Sequence, residues 1–190
     1  MKKCKSFKLM FIALFCALIS CANDPLVNKG GKTGMLQTTE DVSLSLNEDL
    51  YNSFSANITR TDNDEDASYP AYFGGSYTSS NDSLIIFVKD MSQNGIADIY
   101  RRIGKHPNLF FKPCSYSLNE LNELKTNLDK SYFENPILRK KLNWVATGID
   151  IAKNKIVVFL GNLSNESIAD FKKSISDSPM IIFEEMQIAV

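Results

Sequence analysis

The one histidine of this 190-residue chain, His106, stands eight residues before Cys114, the one cysteine beyond position 21. A thiol and an imidazole brought together make a nucleophile and its base, provided a third group orients the ring and a strained turn presents the sulfur. The surrounding residues supply neither. His106 precedes Pro107 at the end of a predicted helix, where a solvated loop histidine is the plainer reading, and a lone cysteine commonly packs as a small hydrophobe. The acidic run Asp62-Asn63-Asp64-Glu65-Asp66 invites a calcium reading. It fails because an EF-hand-type loop needs glycine sixth and glutamate twelfth, where this chain has Ala67 and Phe73. Asp90 to Gly95 fails similarly, with Arg101 at the twelfth place. No catalytic residue, metal site or cofactor is expected.

Charge narrows the remaining classes. With 21 basic and 22 acidic side chains, the chain has no overall field that would hold nucleic acid, and no nucleic-acid partner is expected. Arg139-Lys140-Lys141 and Arg101-Arg102 are short basic clusters that could meet an anionic surface. A hydrophobic fraction of 44% is too high for a disordered tail.

The first twenty residues read as an export signal. Lys2, Lys3, Lys5 and Lys8 precede an apolar run from Leu9 to Leu18 that is too short to span a bilayer. The run ends in Leu18-Ile19-Ser20-Cys21, which resembles the lipobox of bacterial lipoproteins. Cys21 is therefore the expected lipid-anchor residue, joining the chain to membrane lipid at the bacterial cell envelope, with Ala22 favouring an outer membrane. Cleavage would leave 170 residues at net charge −5, since four lysines depart with the signal. Cys114 would then be the one free thiol, so the fold must rest on its core rather than on a disulfide. The expected divisions are a signal peptide at 1–20, a lipidated cysteine and flexible tether at 21–44, and two units at 45–114 and 115–190.

Those two units are one pattern written twice. At an offset of 72, Leu84 to Pro113 lies over Ile156 to Glu185 without a gap. The identical pairs are Phe87/Phe159, Ser92/Ser164, Ile96/Ile168, Ala97/Ala169, Asp98/Asp170, Ile103/Ile175, Pro107/Pro179 and Phe111/Phe183. Composition alone would give roughly two such pairs. Ser45-Leu46-Asn47-Glu48 lies over Ser117-Leu118-Asn119-Glu120 at the same offset, and each tetrad has the form of a helix-starting capping box. Leu46, Leu50, Phe54 and Ile58 then repeat at helical spacing, as do Leu118, Leu121, Leu124 and Leu128. Two strands follow in each half, turning through Ser79-Ser80-Asn81-Asp82 or Lys153-Asn154. Ser92 and Ser164 open a second helix, and Pro107 and Pro179 end it and launch a last strand. The fold class is thus α+β: a tandem duplication of an α-β-β-α-β unit, with antiparallel or mixed sheets and helices packed on one face.

The order of a capped leucine helix, Trp144-Val145-Ala146-Thr147-Gly148-Ile149-Asp150, a lysine-asparagine turn, Lys155-Ile156-Val157-Val158-Phe159, a helix and a final strand resembles the propeptide domains of bacterial chymotrypsin-like secreted proteases. These are the propeptides of the α-lytic protease and streptogrisin type, and the resemblance covers most of residues 45–190. It implies a folding chaperone and tight inhibitor that packs its sheet on the protease and lays its C-terminal tail in the active site. This chain departs from the pattern in having no Gly-Asp-Ser-Gly nucleophile motif and no protease domain before Val190. The implied partner is therefore another exported protein, a chymotrypsin-like protease being the candidate. The expected contact surface is a sheet edge with the segment Glu184, Glu185, Met186, Gln187, Ile188, Ala189 and Val190. Against this non-catalytic, protein-binding lipoprotein stand a structural or adhesive surface module and, third, a Cys114–His106 enzyme.

Overall fold

The computed structural model describes residues 39–55 and 69–187. Among the described residues, two three-stranded mixed sheets and five helices build an α+β fold in two tandem halves. In the first half, α1 (Thr39–Ser55) is followed by β1 (Phe73–Thr78), β2 (Leu84–Lys89), α2 (Gln93–Ile103) and β3 (Leu109–Cys114). The second half runs α3 (Leu118–Glu134), α4 (Pro136–Lys141), β4 (Trp144–Asp150), β5 (Lys155–Leu160), α5 (Asn165–Ser174) and β6 (Ile181–Glu185). No helix among the described residues is long and apolar enough to cross a membrane.

The duplication is visible in the strand register itself. In each sheet the first two strands are antiparallel and the last two parallel, the helix between them making the crossover. Leu84 pairs with Leu109 and Ile156 with Ile181, so the parallel pair of one half lies on that of the other at the 72-residue offset seen in the sequence. The hairpins differ by one residue. Phe73 faces Val88 and Trp144 faces Leu160, so β4 follows β1 at an offset of 71, and both ladders are bulged just after that first pair. Asp82 (φ 56°) and Asn154 (φ 52°) take the left-handed turn conformation at the 72 offset.

Side-chain alternation assigns each sheet an inner face. Leu84, Ile86 and Val88 join Leu50, Phe54, Phe73, Ile99 and Leu109 in the first core. Ile156, Val158 and Leu160 join Leu121, Leu128, Leu142, Trp144 and Phe171 in the second. Leu50 and Phe54 carry the expected stripe of α1, whereas Ile58 lies outside the described residues. The second helices begin at their serine caps: the Ser92 hydroxyl accepts from the Gly95 N–H, and that of Ser164 from the Ser167 N–H.

Two features depart from the pattern. The tetrad Ser117 to Glu120 forms a complete capping box, but Ser45 lies inside α1, whose first residue is Thr39. The second half stops its helix at Ser117 because Asn154, only 6% exposed, ties down the preceding residues. Its Oδ1 accepts from the Ser115 and Tyr116 N–H groups (3.1 and 2.9 Å), and its Nδ2 donates to the Tyr116 carbonyl (2.9 Å). Backbone groups so engaged cannot enter a helix. The other departure is α4, which the sequence pattern left unassigned: Pro136 starts it at a position where no N–H is needed.

The halves meet through α3 and the β4–β5 turn. Leu118 inserts into the first core, and Ile149 packs against both cores. Asn119 brackets Tyr69 by accepting from its N–H (3.0 Å) and donating to its carbonyl (2.6 Å). Gly75, at φ 103°, lets Ile151 approach so closely that a Cβ would sit 2.7 Å from its Cδ1. Lys89 of β2 reaches Glu120 at 2.8 Å.

That ion pair, with the Ser117 backbone N–H, holds the Glu120 carboxyl down at about 2. A depressed folded value means the contribution is present above the ordinary glutamate range and is lost as pH falls toward 2. Glu120→Gln is expected to lower the melting temperature by about 2 °C at pH 7, because solvent reaches and screens part of the pair. The gap between wild type and variant should close by pH 2, as a thermal-melt series across pH will check.

Candidate functional site

The thiol and imidazole are held apart. His106 lies in the loop before β3 and Cys114 ends that strand, so the six residues of β3 separate them by roughly 16 Å at the rise of a strand. The His106 Nδ1 accepts from the Asn108 backbone N–H at 3.3 Å. Burial pushes the Cys114 thiol up to about 11, against the direction a nucleophile needs. No three His, Cys, Asp or Glu side chains gather as a metal site among the described residues.

The recurring aspartates have unequal roles. Asp98 accepts from the Tyr72 hydroxyl and from Arg102 Nε (2.7 Å). Although its burial opposes ionisation, these bonds hold its carboxyl below the usual aspartate range. Arg102 in turn donates to the Ser53 carbonyl (2.8 Å) and lies over the Phe54 ring, so the Asp98–Arg102 pair ties α2 to α1 and to Tyr72 in the turn before β1. Asp170 is exposed.

The more informative difference between the halves lies on the outer faces of the sheets. In the first half Tyr77 pairs with Ile85 in the ladder, and its ring stands 6.1 Å from Phe87, which is 6% exposed. The matching ladder position in the second half, opposite Val157, is Gly148. With no side chain there, the ring of Phe159, the repeat mate of Phe87, is left partly open. A Cβ built on Gly148 would meet only the Phe159 ring, at 4.0 Å. The result is a trough of about 480 Å³ floored by Gly148, Val157 and Phe159, with Tyr77 and the Ile149 to Ala152 segment as its walls and Glu184 at its end. Its polar rim is fixed by Lys153, which bridges Glu184 at 2.6 Å and Asp150 at 3.2 Å. Those carboxylates keep the Lys153 ammonium above its ordinary value.

Beside the trough runs β6, which pairs with β5 and occupies an edge of its sheet. Glu184 and Glu185 are strand residues within it rather than parts of a free tail. The Met186 N–H donates to the Leu160 carbonyl, continuing the ladder by one bond. Met186 and Gln187 then border a second cleft of about 600 Å³, together with Tyr132, Trp144, Arg139 and Asn143. The expected tail residues Ile188, Ala189 and Val190 lie outside the described residues, as do Cys21, the signal region and the acidic run at 62–66. The sequence pattern pointed to β6 and its edge. It missed the trough, whose signal was the unremarked exchange of a tyrosine for a glycine at one register position of a hairpin shifted by a single residue.

Comparison with known families gives two matches along the chain. The model of a Pro-like N-terminal domain matches residues 35–114, and that of a Pro-like C-terminal domain matches residues 119–186. The boundary between them falls at the Ser115–Ser117 linker held by Asn154. No curated protein matches the chain.

Proposed function

Since the chain is a tandem of a Pro-like N-terminal and a Pro-like C-terminal domain, we propose that it is a non-catalytic binding module for an exported protein. In this reading it is held at the bacterial envelope by lipid on Cys21 and engages a chymotrypsin-like protease as an inhibitor or folding chaperone. The observation that supports the reading best is the trough: an apolar floor made by Gly148 where the other half has Tyr77, beside the edge strand β6. An apolar segment laid in the trough would cover Phe159 and Val157, and its continuation past β6 could pair with the outer edge of that strand by strand addition. Lys153, Asp150 and Glu184 would give the rim its polar selectivity. The raised thiol of Cys114 and its separation from His106 favour binding over catalysis.

A photo-crosslinking amino acid at Ile182 of the full chain, exposed to light in its own envelope, tests this. The expected result is one discrete adduct, identified by mass spectrometry as an exported chymotrypsin-like protease. Gly148→Tyr, which gives the second half the cover that Tyr77 gives the first, should reduce that adduct at least tenfold. Removing residues 187–190 leaves β6 and the Met186 bond intact, and should weaken the adduct if the tail takes part. Scattered adducts indifferent to Gly148→Tyr would instead mark an adhesive or purely structural module.

A further inference from the structure

We propose that the corner between α3 and α4 is a membrane-contact surface that rests on an anionic lipid bilayer. Phe133 at the end of α3 is 74% exposed and Ile137 at the start of α4 is 87% exposed, the highest values among the large hydrophobic side chains described. Water penalises two such side chains standing together, and burying them elsewhere is correspondingly favourable. The charge around them has one sign. Between residues 130 and 141 there are four cations, Lys130, Arg139, Lys140 and Lys141, and one anion, Glu134.

On α4, Lys140 and Lys141 lie three and four positions after Ile137, so they flank it on the same side of the helix. Lys130 stands in the same relation to Phe133 on α3. Elsewhere in the fold Lys89, Arg102, Lys125 and Lys153 each reach a carboxylate. Lys130, Lys140 and Lys141 make no ion pair with any described residue, and Arg139 instead covers the Tyr132 ring at 4.5 Å. An apolar tip ringed by unpaired cations is complementary to acyl chains beneath anionic headgroups. Both side chains lie largely in solvent. A fluid bilayer can receive protruding side chains without a shaped pocket, whereas an acidic protein would have to supply one. This contact is separate from the trough and does not depend on whether Cys21 carries lipid.

The test is hydrogen exchange on the full-length protein reconstituted with vesicles of phosphatidylcholine alone or with one third phosphatidylglycerol. Amides of residues 133–141 are expected to exchange at least tenfold more slowly on the anionic vesicles. Molar salt should erase the difference, since it shortens the screening length to about 3 Å. Lys140→Glu/Lys141→Glu should abolish it, as should Phe133→Ser/Ile137→Ser, which gives up the ring contact of Phe133 with Tyr132 (5.3 Å) but removes no buried side chain. Equal exchange on both vesicles would overturn the proposal, and so would protection by an acidic peptide but not by the anionic vesicles.

Discussion

Phe171→Ala is expected to remove about 4 kcal/mol of stability, the usual range for emptying a buried phenylalanine site. Phe171 is fully buried on α5 and is the hub of an aromatic chain. Its ring meets Trp144 edge-on at 5.0 Å and Phe183 at 5.3 Å, and Trp144 in turn meets Tyr132 at 5.1 Å. Rigid rings linked edge to face cannot collapse into the vacated volume without breaking other contacts, so the cavity remains. Trp144 is also held by its indole N–H, which donates to the Thr147 hydroxyl at 3.0 Å. The expected melting temperature falls by about 12 °C. Because Trp144 is the chain's one tryptophan, its fluorescence reports this core directly. Circular dichroism should follow the same transition, since Leu118 and Ile149 couple the two cores. A loss under 1 kcal/mol would mean that the second core does not depend on this ring.

Asn154→Ala carries the second large effect, about 3 kcal/mol, through hydrogen bonds rather than packing. It removes three hydrogen bonds at a part-buried junction, those from the Ser115 and Tyr116 N–H groups and that to the Tyr116 carbonyl, at about 1 kcal/mol each. It also puts a β-carbon without side-chain compensation at φ 52°. Three variants separate the contributions. Asn154→Asp keeps the acceptor for both N–H groups and should cost least. Asn154→Gly relieves the backbone but loses all three bonds, and Asn154→Ala should cost most. Denaturant melts give the order directly, and an alanine variant as stable as the aspartate would refute the latch. The linker is where the two Pro-like domains join, so the functional consequence is expected to be a loosened α3 and a weaker Lys89–Glu120 bridge.

Much of this architecture can be read from residue spacing because its determinants are local. Ser92 and Ser164 cap helices whose first turns they adjoin, and Pro107 and Pro179 end helices by removing an N–H. Apolar alternation in Leu84 to Val88 and Ile156 to Leu160 marks inner and outer faces without knowledge of what covers them. The 72-residue offset carries through unchanged to the register of β2 with β3 and of β5 with β6, since an ungapped repeat leaves no freedom for slippage.

What distance in sequence concealed, contact in space decided. The Ser45 and Ser117 tetrads are alike, yet only Ser117 caps a helix, because Asn154 arrives from 37 residues downstream to hold the preceding backbone. His106 and Cys114 look adjacent in the chain, but an extended strand carries them apart. The outer-face trough depends on a register in which Gly148 occupies the place of Tyr77, and that register follows from a one-residue difference between hairpins. The sequence by itself therefore determined the repeated unit, its helices, strands and inner faces, since caps, prolines and periodicity act within a few residues. Only the tertiary structure decided how the halves latch together, which faces stay open and which cations stay unpaired, since those are properties of groups brought together across the fold.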